Sequence, residues 1–105
     1  MTQQITTNGH LAVHNFIATT YNQVSVHAGA TEKKRITVTP TANEEGVEYR
    51  AVINNADSFL QDVTVDSFKV TNASNNIFAE GSITSFTFEN VEDELTLVIN
   101  IDKAV

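Results

Sequence analysis

Apolar and polar side chains alternate with a period of two wherever a pattern can be read along this chain. Leu95, Leu97, Ile99 and Ile101 fall on one side of residues 94–102, and Glu94, Thr96, Asn100 and Asp102 fall on the other. A strand with one buried face produces that alternation, and only Val98 breaks it. Val47, Tyr49, Ala51 and Ile53 alternate in the same way with Glu48, Arg50 and Asn54. Ile36 and Val38 alternate with Arg35, Thr37 and Thr39 until Pro40, which has no N–H to give a ladder.

Weaker patterns fill the intervals. Residues 10–18 and 21–28 are rich in β-branched and aromatic side chains and read as strands. Residues 61–70 carry Val63 and Val65 in one parity, then Phe68 and Val70 in the other. That change near Asp66 and Ser67 predicts a β-bulge, or a strand crossing between sheets. Residues 77–88 form one long strand, with Gly81 marking a bend. Breakers stand at 28–30, 40–46, 54–58, 72–76 and 89–93. A turn of helix is conceivable only at 56–61, capped by Asn55 or Asp57. The expectation is an all-β, antiparallel sandwich or flattened barrel of about seven to eight short strands, with little or no helix. Residues 1–8 read as a flexible N-terminal segment and 9–105 as a single β domain.

Charge narrows the partners. The 105 residues carry 6 basic and 13 acidic side chains, a net charge of -7. Residues 1–52 balance Glu32, Glu44, Glu45 and Glu48 against Lys33, Lys34, Arg35 and Arg50, so the second half holds the whole excess. Nucleic acid and anionic membrane are poor partners for such a chain, because both are bound through cations. A basic protein surface or a divalent cation suits it better. The sequence contains no cysteine, which removes disulfides, thiol nucleophiles and Cys-ligated metals. The first nine residues show neither a basic nor an apolar leader region, and no apolar run approaches membrane-spanning length. A protein kept in the cytoplasm, or assembled from there, is the expectation.

Candidate chemistry is sparse. His10 and His14 are four apart, a spacing that would place both imidazoles on one face of a helix as metal ligands. In a strand they stand roughly 13 Å apart and cannot share an ion. His27, at the end of the next expected strand, could come near His10 across a hairpin. Rim or surface positions remain the simpler reading of all three, and no metal site is assigned. Glu89, Glu92, Asp93 and Glu94 form an acidic turn that offers oxygen ligands to calcium, but without the spacing or the glycine of an EF-hand. Such turns are ordinarily solvated and discourage edge-to-edge aggregation. Residues 80–83 come nearest to a nucleophile elbow and lack its second glycine, and no phosphate-binding glycine loop exists. Most of the six phenylalanines are expected in the core; Phe86 and Phe88, on one face of a long strand, become interface anchors if that strand projects.

No catalytic or cofactor-binding residue is therefore assigned. The leading expectation is a non-enzymatic structural or protein-interaction module that self-associates or joins a larger assembly such as a virion or surface structure. Its alternatives are a glycan- or calcium-binding module, an acidic inhibitor of a basic partner, and a small enzyme or ligand-binding barrel built around the three histidines.

Overall fold

The strongest alternations become the longest regular ladder. In the computed structural model, which describes residues 5–55 and 60–103, Gly46–Asn54 (β4) pairs antiparallel with Glu94–Asp102 (β7) through nine consecutive partners. Thr41–Asn43 (β3) adds a short third strand, giving a sheet of order β3-β4-β7. The inward set Val47, Tyr49, Ala51, Ile53, Leu97 and Ile99 is buried, whereas Val52 and Val98 lie on the outer face. Val98, the residue that breaks the alternation, is thus an exposed valine and not a register slip.

The second sheet has the order β2-β1-β5-β6, built from Gln23–Ala28 (β1), Thr31–Thr37 (β2), Val63–Thr71 (β5) and Ile77–Phe88 (β6). Val24, Val26, Val65, Val70 and Phe88 are fully buried and meet the inward face of the first sheet. The all-β antiparallel sandwich is the observed architecture. The chain crosses between sheets three times, from β2 to β3, from β4 to β5 and from β6 to β7.

The parity change in 61–70 corresponds to an irregularity in the β5–β6 ladder. Val65 pairs with Phe86 and Ser67 with Ser82, so Asp66 alone faces residues 83–85. The surplus residues belong to β6, and the local kink returns Phe68 and Val70 to the core side. Gly81 is opposite Phe68, where a β-carbon would sit 2.8 Å from the ring.

Two expectations fail. Residues 10–18 are not a strand: Thr7–Thr20 is an α-helix (α1). Thr6 caps it, its side-chain oxygen accepting from the Gly9 N–H at 3.0 Å, and the Tyr21 N–H closes the other end on the Ile17 carbonyl. His14, Ile17, Ala18 and Tyr21 recur at helical spacing and pack toward β3, β4 and the core. The β-branched residues that imitate a strand include Val13, which lies on the exposed side together with Phe16. The region 40–46 is likewise more than a breaker, since β3 and the start of β4 form a hairpin there. The helical turn expected at 56–61, with Asp57, lies largely outside the described residues; Asn55 is buried and its side chain accepts from the Leu60 N–H at 2.6 Å. Residues 1–4 are also outside them.

Candidate functional site

A sandwich leaves four outer strands, and an unpaired strand edge is a row of hydrogen-bonding groups that another chain can complete. Three of the four edges here are blunted. The β2 edge carries Glu32, Lys33, Lys34 and Arg35 and is broken by a bulge at Lys33, because Val26 pairs with Lys34 and His27 with Glu32. The β3 edge is three residues long and follows Pro40. The β6 edge is distorted by the surplus residues 83–85.

Among the described residues the β7 edge has none of these devices. Its nine residues pair with β4 without a register shift, and residues 95–101 contain no charge, proline or glycine. Glu94 and Asp102 mark its two ends. Its outer face presents Thr96, Val98 and Asn100, with Val98 47% exposed. β6 and β7, each an edge strand of its sheet, are joined by the short turn 89–93.

That turn is closed on itself. The Asp93 carboxylate accepts from the Glu89 and Asn90 N–H groups at 2.7 and 2.8 Å, which holds its pKa below the usual carboxylate value. Glu89, Glu92 and Glu94 are exposed. Among the described residues no group of three or more His, Cys, Asp or Glu side chains is placed to hold a metal ion.

The histidines divide into two sites. α1 puts His10 and His14 one turn apart on the same face, their rings inclined by 24° with centroids 5.8 Å apart. His14 is buried, and its Nδ1 donates to the Asn43 carbonyl at 2.6 Å. His27 belongs to the other sheet and does not join them. It alternates with Val24 and Val26 and therefore points away from the inter-sheet core, 2.8 Å from Ser25 Oγ through Nε2.

The Ser25–His27 contact has the spacing of a nucleophile and its base, and i, i+2 positions on a strand are the only sequence signal for it. Its surroundings oppose that chemistry. Ser25 is fully buried, and His27 Nδ1 has no partner where a triad would place a carboxylate. Burial holds the His27 imidazole below its ordinary value, with Lys69 and Arg35 acting in the same direction and Glu32 and Glu80 against it. The neutral ring is a packed element of the sheet.

Remaining side chains consolidate the frame. Arg35 binds Glu32 at 2.6 Å, Gln23 at 3.1 Å and Asn75 at 2.5 Å, tying β2 to β1 and to the β5–β6 turn. The buried Tyr49 hydroxyl donates to the Tyr21 carbonyl at 2.7 Å, and burial raises its pKa to about 12. Phe88 is fully buried and Phe86 packs edge-on against it at 4.9 Å, so both serve the core. Among the described residues the exposed aromatic is Phe16 of α1, at 63%. Depressions on the described surface are open to solvent, the one beside β7 being lined by Asn43, Glu45, Gly46, Asn100 and Asp102. No described helix is long and apolar enough to cross a membrane.

Compared with known protein families, curated proteins and solved structures, the chain matches none.

Proposed function

We propose that this protein is a non-enzymatic structural or interaction module that enters an assembly by pairing strands at its β7 edge. The observation that carries the reading is the asymmetry of the edges: β2, β3 and β6 are blunted, and the nine-residue β7 is regular and uncharged between its ends. Proteins commonly protect edges of this length, so an unprotected one has a use in pairing.

Register allows a second copy as the first partner. Antiparallel pairing of two β7 strands about Val98 would set Glu94 against Asp102 at both ends, and like charges directly opposite destabilise a ladder. Pairing about Ile99 avoids this. Thr96 then faces Asp102, Leu97 faces Ile101 and Val98 faces Asn100, with every inward residue opposite another inward residue. The product is a twofold dimer with one continuous sheet of six strands, the symmetry most often used by soluble oligomers. Such dimers can in turn serve as units of a larger shell or surface structure.

Substitution at Val98 tests the reading. In the proposed register Val98 lies diagonal to its own symmetry mate and to Asp102, so Val98→Glu places like charges together across the twofold axis. Val98→Glu is expected to abolish dimerisation while Val98→Thr retains it, as read by sedimentation velocity. Equal association of both variants would overturn the β7 interface.

A ligand-binding role has weaker support, because the acidic turn spends the Asp93 carboxylate on backbone N–H groups.

A further inference from the structure

The helical course of residues 7–20 changes what His10 and His14 can do. On α1 they occupy adjacent turns of one face, with nearly parallel rings whose centroids are 5.8 Å apart. His14 is 4% exposed, and its Nδ1 lies 2.6 Å from the Asn43 carbonyl oxygen. A carbonyl only accepts, so Nδ1 carries the proton and the lone pair of the neutral ring is on Nε2. That nitrogen makes no hydrogen bond among the described residues. A backbone carbonyl that fixes one imidazole nitrogen and turns the other outward is the usual support behind a metal-binding histidine. The half-buried His10 side chain makes no hydrogen bond among the described residues, which leaves it able to rotate toward a shared ion.

We propose that His10 and His14 form a two-imidazole site for a borderline divalent transition ion such as Ni²⁺, Cu²⁺ or Zn²⁺. Imidazole nitrogen selects these ions over calcium and magnesium, which require sets of oxygen ligands. Both Nε2 atoms must come to about 2.0–2.1 Å from the metal, the distance typical of zinc–imidazole bonds. Rotation of the His10 side chain would bring the two Nε2 atoms toward one ion. Water completes the coordination, because no third His, Cys, Asp or Glu is placed with them among the described residues. The site is therefore exchangeable and also mechanical. Chelation across one turn staples a helix that has no acidic residue in its first turn and no basic residue in its last to support its dipole. The inference is independent of the β7 interface and stands or falls separately.

The test titrates Ni²⁺ into the full chain and follows thermal unfolding, with substoichiometric Cu²⁺ added to a parallel sample for NMR. At about tenfold excess over Kd, the melting temperature of a two-state domain this size is expected to rise by roughly 5–10 °C. Cu²⁺ should broaden the ring signals of His10 and His14 before those of His27. His10→Gln, which leaves the Asn43 contact of His14 intact, should lose both effects at an unchanged metal-free melting temperature. Three outcomes would overturn the site: no nickel-dependent shift at any concentration short of precipitation, the same shift in His10→Gln, or broadening that begins at His27 or at carboxylate side chains.

Discussion

At Gly46 the backbone approach of β4 to β7 is so close that a β-carbon would overlap the Ile101 carbonyl oxygen. The residue is buried and also holds a φ of 156°. The obstacle is backbone at the end of the β4–β7 ladder and cannot swing aside as a side chain would. Gly46→Ala is expected to cost about 3 kcal/mol, the upper range for forcing atoms into a filled site, as measured by denaturant unfolding. A loss near zero would mean that the β3–β4 hairpin is looser than described. Tyr49 contributes differently, because its hydroxyl is the hydrogen-bonded link between the sheet and the end of α1. Tyr49→Phe removes that hydrogen bond, an expected loss of about 1 kcal/mol as read by denaturant unfolding. His27 sets a pH dependence whose sign follows from its neutral folded state. With its pKa below the ordinary 6.5, the folded protein resists protonation that the unfolded chain accepts. The stability is fully present above pH 6.5 and declines as pH falls through the folded value. Urea unfolding from pH 7.5 down to 5 should show the decline in the parent and a flatter profile in His27→Gln. A profile unaltered by that substitution would remove His27 as the cause.

Elements were legible in the sequence in proportion to how one-sided their burial is. β4 and β7 have one face in the core and one in solvent, and the alternation of Tyr49, Ala51 and Ile53 or of Leu95, Leu97 and Ile99 announces them directly. The break in β5 was legible from the parity of Val65 and Phe68, although not the fact that β6 supplies the surplus residues. β1 is buried on both faces, so no alternation was available to place His27 beside Ser25. Residues 10–18 read as a strand because Val13, Phe16 and Ile17 carry strand propensity, and the helical spacing of His10, His14, Ile17 and Tyr21 is the opposing signal. Tertiary packing of Ile17, Ala18 and Tyr21 decides in favour of helix. The candidate sites inherit these differences. The β7 edge was visible as a strand but not as an edge, since strand order cannot be read from periodicity. The histidine pair was visible only as a spacing whose meaning depends on helix or strand.

On the scale of the whole molecule, the sandwich has three blunted edges, β2, β3 and β6, and one regular edge, β7. The chain carries a net charge of -7, so two copies repel at long range whatever their short-range fit. A dimer held by backbone pairing and by the Leu97, Ile99 and Ile101 side of β7 must overcome that repulsion, and added salt screens it. Association is therefore expected to strengthen with ionic strength, the reverse of an interface made from opposite charges. This also separates the dimer from an acidic inhibitor, whose binding to a basic partner would weaken in salt. The most direct measurement is solution mass by light scattering over a range of protein concentrations, at low and at high salt. The account predicts a concentration-dependent dimer that is more populated at high salt. A plain monomer at every concentration and in both salts would contradict it.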